Sequence, residues 1–330
     1  MARSTRFPVA IVGAGALGTL FFRKLSRISP TALVGRRATT IPQADWVIIL
    51  VKAYDTVAAV KTAKRMKAKG VVSLQNGLID VVPQGVTTAA AYRAGKRVIP
   101  VATGKTVLPP GFEPLARLLR RAGLDARVAK DIHAARLRKL LANVCLNPVT
   151  ALFQVKNHQV LEPRCLPFVQ ALAAEAAQVL SREGVRISPS EALRRVVGVA
   201  KATAGNRSSM LQDVLAGRQT EIEHLTGALL RLECARGEHR KRPRQQSGDV
   251  LLVHDREQFR LAPPLLQQRQ GSRDLRILRD GVRKLLHETP DMEVAGEARD
   301  DLEAGRLVVH HHDFLRDDAA WRMDPLAHGL

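Results

Sequence analysis

The residues best suited to chemistry are a lysine and two amides at helical spacing in an apolar segment. Lys139, Asn143 and Asn147 are four residues apart, and at about 100° per residue they fall close to one face of a helix. Buried ammonium and amide groups are costly when unpaired, so this polar stripe needs partners or a ligand. A positioned ammonium can stabilise a developing negative charge and supply a proton. The alternative is a surface lysine with two amides that bond a neighbouring loop.

A glycine-rich segment near the start of the chain has the spacing of a phosphate-binding loop. An apolar strand pattern at residues 9–12 runs into Gly13-Ala14-Gly15-Ala16-Leu17-Gly18, and a helical pattern follows. Gly13 permits the tight turn, Gly15 lets a pyrophosphate approach the backbone, and Gly18 lets helix and strand pack closely. The helix N-terminus then offers free N–H groups to phosphate. This strand–turn–helix context predicts a dinucleotide site.

Polar residues after the next predicted strands bear on the choice of cofactor. Arg36 and Arg37 follow the second strand, where an NAD site would carry an acidic residue. A guanidinium suits a 2′-phosphate, so NADPH is favoured over NADH; the alternative is a surface arginine pair. Lys52 ends the third strand and Asn76 follows the fourth. Ligands of open α/β sheets lie beyond the carboxyl ends of strands, so both residues are expected near the cofactor.

A helical region follows the predicted sheet and extends from about residue 133 to 234. Pro148 is expected to bend its first helix. Thr220 and Glu223 have the spacing of a capping box, so the last helix should begin at about Glu221. Glu221 would then lie at a helix N-terminus, where it could face a ligand. Alternatively, its charge only complements the helix dipole.

The composition limits the classes of partner. The chain has 330 residues, 45% of them hydrophobic and 4% aromatic, with a formal charge of +21. Nucleic acid is an unlikely partner, because aromatic stacking residues are not interleaved with the basic ones. The sequence has no apolar run of roughly 18 residues, so we expect no membrane partner. Three cysteines without metal-ligand spacing predict no metal site and a reducing, cytoplasmic location.

Six blocks in this order resemble the ketopantoate reductase (2-dehydropantoate 2-reductase) family over about residues 7–235. They are Gly13-Ala14-Gly15-Ala16-Leu17-Gly18, Val51-Lys52-Ala53, Gln75-Asn76-Gly77-Leu78, Arg138-Lys139-Leu140 with Asn143 and Asn147-Pro148-Val149-Thr150-Ala151, Ser208-Ser209-Met210-Leu211-Gln212-Asp213, and Gly217-Arg218-Gln219-Thr220-Glu221-Ile222-Glu223. The resemblance implies an α/β Rossmann-type domain, expected at 1–132, followed by an all-α domain at 133–235. It places the active site in the cleft between them.

The resemblance also implies an activity and residue roles. The activity is NADPH-dependent reduction of 2-dehydropantoate to pantoate, a step toward pantothenate and coenzyme A, and a homodimer is compatible with it. Lys139 would be the proton donor, and Glu221 would act catalytically at the cofactor–substrate junction. The implied substrate residues are Asn143, Asn147, Asn157, Ser209, Met210, Leu211 and Gln212; further cofactor contacts are Lys52, Asn76 and Ala91. The alternatives are a reductase of another 2-oxo acid and an impaired relic of the family.

Three departures from the family pattern are expected to matter. The link at 37–46 is short, and Gly77 runs almost directly into 81–83 without the usual helix. We expect the two shortened loops to remove packed layers from the Rossmann domain and to lower its stability. Residues 236–330 form an atypical, irregular and basic tail, for which a shifted reading frame over 237–250 is a hypothesis that the DNA sequence tests. Within this tail, 272–305 resembles a receiver-domain fragment, and 310–312 is a histidine run expected to be a disordered polar tract.

Overall fold

The computed structural model describes residues 6–235 and four short strands at 253–255, 258–260, 292–297 and 307–311. The first part, to residue 128, alternates strands and helices. Its elements are β1 (Arg6–Val12), α1 (Ala16–Leu25), β2 (Thr31–Val34), β3 (Gln43–Ile49), α2 (Thr56–Arg65), β4 (Gly70–Ser73), β5 (Val86–Thr87), β6 (Ala90–Ala94), β7 (Arg97–Ala102), β8 (Lys105–Leu108), α3 (Glu113–Arg121) and β9 (Asp125–Val128).

The central sheet is parallel and has the strand order β2-β1-β3-β4. Its two central strands, β1 and β3, contain runs of Val, Ile and Ala that are buried on both faces, as parallel strands between covering layers should be. A parallel bridge from Ser73 to Gln84 continues the sheet toward β5, which pairs with β8, and β8 pairs with β9. The antiparallel hairpin of β6 and β7 packs on α1. This arrangement confirms the predicted α/β Rossmann-type fold.

The connections from β2 to β3 and from β4 to β5 both lack a helix. Residues 35–42 carry the chain from β2 past β1 to β3, where parallel crossovers usually need a dozen or more residues. Residues 74–85 join β4 to β5 without a helix. That these two loops are shortened relative to the family stays a prediction.

The side chain of Gln84 anchors the connection between β4 and β5 through hydrogen bonds. Its Oε1 accepts hydrogen bonds from Ile79 N at 2.9 Å and from Arg136 Nε at 2.7 Å. Its Nε2 donates to Gly77 O at 2.9 Å and to Gln75 O at 3.2 Å. A buried amide with all four bonds made takes the place of helical packing in this loop. Because Arg136 lies on the first helix of the next part, the loop is also tied to that part.

The second part is helical and is built around one long helix. Its elements are α4 (Ile132–Leu152), a 3-10 turn (Asn157–Leu161), α5 (Leu166–Arg182), α6 (Pro189–Ala202), α7 (Ser209–Leu215) and α8 (Ile222–Ala235). Asp131 caps α4 by accepting a hydrogen bond from Ala134 N at 3.1 Å. The other four helices all pack on α4 around one apolar core. The all-α region predicted after the sheet is therefore confirmed.

Two local features of this part extend or test the sequence predictions. α4 does not end at Pro148 but continues to Leu152, and the predicted bend there stays a prediction. Within the region predicted to be helical, the Ser208–Asp213 block begins the short helix α7, which Ser208 caps. α4 begins at Ile132, next to the predicted boundary of 132 and 133; the division into separate domains stays a prediction.

The tail prediction needs one correction. Residues Leu307–His311 form a strand that pairs with Met292–Glu297, and Val253–Asp255 pairs with Gln258–Arg260. A disordered tract is therefore wrong for His310 and His311, because the β-branched residues before them favour an extended backbone. The rest of the tail, including the frameshift segment and most of the receiver-like fragment, lies outside the described residues. No helix in the described ranges is long and apolar enough to cross a membrane.

Candidate active site

The glycine-rich loop has the shape that a dinucleotide needs. Gly13 has a φ of +123°, and a Cβ there would lie 2.6 Å from the Leu50 carbonyl group. A Cβ on Gly18 would lie 1.8 Å from the Gly13 carbonyl oxygen. At Gly15, the residue before α1, a Cβ would meet nothing within 4 Å. The first and third glycines are thus required by packing, while the second leaves open space at the helix N-terminus, and the loop fits a cofactor pyrophosphate.

Two arginines lie beside this loop. Arg36 is exposed at the end of β2, and its Nη2 lies 2.5 Å from Asp55 Oδ2. Arg93 on β6 donates from Nη2 to Ala14 O at 2.6 Å and to Thr19 Oγ1 at 3.2 Å. Arg93 was not predicted from the sequence, although Ala91, two residues earlier on the same strand face, was. Arg93 thus brings a positive charge to the glycine-rich loop, whereas the charge of Arg36 is paired with the Asp55 carboxylate.

A cluster of charged side chains joins the α/β part to the helical part. Lys52 Nζ lies 2.5 Å from Asp213 Oδ2 and 3.4 Å from Glu221 Oε2. Glu221 also accepts hydrogen bonds from Ala53 N at 2.8 Å and from Asn76 Nδ2 at 3.3 Å. Burial by itself lowers the pKa of Lys52, but the nearby charges of Glu221 and Asp213 outweigh it and hold this pKa above its usual value. The structure thus brings Lys52, Asn76 and Glu221 together.

The stripe on α4 keeps its polar groups available. Lys139 and Asn143 are half-buried and Asn147 is buried. Within residues 6–235, none of these three side chains has a hydrogen bond or an ion pair to protein. Burial lowers the pKa of Lys139 to about 8, and the charge of Glu221 opposes this shift. The stripe therefore combines two amides without protein partners and an ammonium whose pKa is lowered to about 8.

Asn157 presents a further unused group. Its Nδ2 donates to Thr203 Oγ1 at 2.8 Å, and its backbone N donates to Asn206 O at 2.9 Å. Its Oδ1 is buried and has no hydrogen-bond partner in the described part of the chain. A buried carbonyl oxygen without a donor costs free energy unless a ligand supplies one. Asn157 thus has one buried oxygen that lacks a donor among the described residues.

Around α7, some side chains stabilise the helix, while others have polar groups that could bind a ligand. Ser208 caps the helix by accepting from Leu211 N at 3.1 Å, and Thr150 Oγ1 donates to Ser208 Oγ at 2.6 Å. The Ser209 hydroxyl has no hydrogen bond to the described residues. Met210 and Leu211 are buried, so they could reach a ligand only through main-chain groups. The Gln212 side chain donates to Arg207 O at 3.0 Å, which leaves its own carbonyl oxygen available.

Asp213 is the main residue of this cluster that the sequence did not single out. It ends the Ser-Ser-Met-Leu-Gln-Asp block, but without a predicted helix there was no face on which to place it. An apolar groove elsewhere on α4, lined by Arg138, Leu141 and Val196 among others, includes none of the predicted site residues. The chemistry therefore belongs to the junction of the two parts and not to that groove.

Comparison with known proteins places this geometry in a family. A family model described as ketopantoate reductase PanE/ApbA matches residues 29–109, and the model of its C-terminal region matches 131–243. The 2-dehydropantoate 2-reductase of Archaeoglobus fulgidus is 32% identical over 68% of this chain and 90% of its own length. The enzyme of the same name from Yersinia pestis is 34% identical over 65% and 73%.

A solved structure supports the same assignment. The PanE/ApbA family ketopantoate reductase from Ralstonia eutropha superposes with a TM-score of 0.59 at 26% identity, covering 71% of this chain and 93% of that one. The glycine-rich loop, the charged cluster and the α4 stripe thus occur in a chain that matches the family through both of its parts. The chain is an oxidoreductase that belongs to the ketopantoate reductase family.

Proposed function

We propose that the protein reduces 2-dehydropantoate to pantoate with NADPH. The observation that carries this proposal is the α4 stripe of Lys139, Asn143 and Asn147. The side chains of all three have no protein partner in the described residues, and Lys139 supplies a titratable ammonium. Relatives named 2-dehydropantoate 2-reductase, one of them matched over 90% of its length, support the choice of substrate.

The cofactor would lie on the glycine-rich loop. The open space at Gly15 and the N-terminus of α1 would take its pyrophosphate, with Ala14, Ala16 and Leu17 completing the loop. Arg36 would pair with the 2′-phosphate, which favours NADPH over NADH. Lys52, Asn76 and Ala91 would line the rest of the cofactor site. When bound, the nicotinamide supplies the hydride that the keto carbon accepts.

Lys139 would supply the proton. As the ketone oxygen gains negative charge, a nearby ammonium stabilises this charge and then transfers its proton to the oxygen. A pKa of about 8 suits this role, since the group is mostly protonated at neutral pH and yet gives up its proton readily. Glu221 keeps Lys139 charged because it raises the pKa that burial lowers.

The amides would orient the keto acid. Asn143 and Asn147 lie one and two turns along α4 from Lys139, so they can bind the carboxylate and keto groups while the lysine faces the ketone oxygen. 2-Dehydropantoate carries a hydroxyl group at the end opposite its carboxylate. The unpaired Asn157 Oδ1 is an acceptor for this hydroxyl. Ser209, Gln212 and the main chain at Met210 and Leu211 would complete the substrate site.

The decisive experiment follows NADPH oxidation with 2-dehydropantoate. Lys139→Ala should lower kcat by about 10²–10⁴-fold, the range for loss of a general acid. The control is Lys130→Ala, because Lys130 is exposed just before α4 and should leave kcat unchanged. No turnover by folded wild-type protein would reject the proposal in favour of an impaired relic. Turnover that Lys139→Ala leaves intact would reject Lys139 as donor.

A second arm tests the substrate. A 2-oxo acid of the same branched skeleton without the terminal hydroxyl should be reduced less efficiently by the wild type. Asn157→Ala should abolish this difference, because the acceptor for the hydroxyl is then missing. Equal kcat/KM for both acids in the wild type would favour a reductase of another 2-oxo acid.

A further inference from the structure

Two buried carboxylates face one lysine at the junction of the two parts. Asp213 on α7 is 2% exposed, and Glu221, just before α8, is 5% exposed. The Lys52 ammonium reaches both, but its contact with Asp213, at 2.5 Å, is much shorter than its contact with Glu221, at 3.4 Å. Asp213 is therefore the nearer of the two carboxylates that pair with Lys52.

Asp213 is held in place from the helical side. Its Oδ1 accepts from Arg218 Nε at 3.1 Å, and its main-chain oxygen accepts from Arg218 N at 2.8 Å. With Oδ2 on Lys52 and Oδ1 on Arg218, both carboxylate oxygens have a cation partner. The side chain thus binds Lys52 from a fixed position, and in the described residues it makes no hydrogen bond or ion pair with the α4 stripe or the glycine-rich loop.

Glu221 is less completely neutralised. Its shortest bond is to a neutral group, Ala53 N at 2.8 Å, while Lys52 and Asn76 approach its other oxygen only to 3.4 and 3.3 Å. The charge of Glu221 acts on four titratable groups around it, namely Lys52, Tyr54, Lys139 and His224. Only Lys52 among these four has a second carboxylate at hydrogen-bond distance.

We propose that Asp213 is a positioning residue of the active site: by holding Lys52, it leaves the charge of Glu221 available to Lys139. Without the Asp213 charge, Lys52 would move onto its remaining counter-ion, Glu221. Glu221 would then be neutralised by Lys52, and Lys139 would lose the charge that keeps its proton bound. The inference rests on the proposed function only in taking Lys139 as the proton donor.

The primary test titrates Lys139 in the protein without ligands, so it does not depend on turnover. Reductive methylation with ¹³C-formaldehyde labels the lysines, and Lys139→Arg identifies the Lys139 resonance. Asp213→Asn should move the Lys139 midpoint downward by about 0.5–1 pH unit. Lys52→Gln should move it upward, because Glu221 then serves Lys139 alone. Opposite shifts from the two variants are therefore expected, and a double-mutant cycle separates a shared counter-ion from the direct effect of each charge on Lys139.

Kinetics and a double-mutant cycle complete the test. Asp213→Asn should lower kcat at pH 8 about two- to fivefold, the fall in protonated Lys139 that this shift of its midpoint produces. In the Glu221→Gln background the same substitution should no longer move the Lys139 midpoint, because the shared charge is gone. A fall in kcat with an unmoved midpoint, or an equal shift in both backgrounds, would overturn the proposal and leave Asp213 a structural residue.

The matched control is Asp45→Asn. Asp45 also pairs with an arginine and a lysine, Arg6 at 2.7 Å and Lys69 at 3.4 Å, but it lies where β1 and β3 begin, away from the charged cluster. Its loss should leave both the Lys139 midpoint and kcat unchanged. If the Asp213→Asn variant does not fold, the Lys52→Gln variant still tests the proposal. In that variant, a Lys139 midpoint that is unmoved or lowered contradicts the proposal. A wild type without turnover would reject the function and not this inference.

Discussion

The substitution Gln84→Ala should destabilise the protein more than the size of the lost side chain suggests. It removes four hydrogen bonds, and the Ile79 N–H and the Gln75 carbonyl that lose their partner lie in buried residues. A buried group left unsatisfied costs about 1–3 kcal/mol and an ordinary lost bond about 1 kcal/mol. Arg136 keeps its bonds to Ile79 O and Asp80, which limits the loss. We expect a decrease of about 3–5 kcal/mol in the free energy of unfolding.

Urea denaturation followed by circular dichroism measures this decrease. The matched control is Gln43→Ala, because Gln43 has a single long hydrogen bond, from Arg6 Nη1 at 3.4 Å, at the protein surface. Its substitution should cost less than about 0.5 kcal/mol, as for an exposed site. Gln84→Glu keeps both accepted bonds but sets carboxylate oxygen against two carbonyl groups, so it should also destabilise. A loss for Gln84→Ala as small as that of the control would refute the reasoning.

Three further predictions concern the donor, the cofactor and a helix cap. With a Lys139 pKa of about 8, about 90% of the group is protonated at pH 7 and about 10% at pH 9; kcat/KM for the keto acid should fall accordingly, and the residual activity of Lys139→Arg should lack this limb. In fluorescence titrations, Arg36→Gln should weaken NADPH binding about tenfold and spare NADH, whereas Arg93→Gln should weaken both equally; a loss confined to NADPH contradicts the placement of Arg93 at the pyrophosphate. Ser208→Ala removes the α7 cap and the partner of Thr150 and should cost about 1–2 kcal/mol in urea unfolding; unchanged stability would contradict this role.

The parts of the fold that the sequence predicts are those with a strong local signal. The apolar strand before Gly13 and the helix after Gly18 combine periodicity with a glycine pattern that only one geometry satisfies. The α4 stripe was visible for the same reason, because a period of four places Lys139 and Asn147 on one face. Ser208 carries a cap signal for α7, but seven residues are too few for a clear period.

The missed residues depend on contacts that no local pattern records. Lys52 and Asp213 are 161 positions apart in the chain, so their ion pair appears only once both parts are folded. Arg93 reaches the glycine-rich loop from a hairpin, across 79 positions. The loop at Gln84 combines a local signal and a non-local one. The sequence indicates that the helix is missing, whereas the Gln84 amide that replaces its packing is evident only from its four hydrogen-bond partners in the structure.

The placement of Lys139, Asn143 and Asn147 on one helix has a mechanical consequence. α4 is 21 residues long, and at 1.5 Å per residue the Cα atoms of Lys139 and Asn147 lie about 12 Å apart along its axis. If the α/β part and the helical part move apart, Lys139, Asn143 and Asn147 move together with α4 and keep their spacing. Separation would instead break the contacts of Lys52 and Ala53 with the helical part. Such a motion would therefore act on the counter-ions and would leave the spacing of the three groups that are proposed to bind the keto acid unchanged.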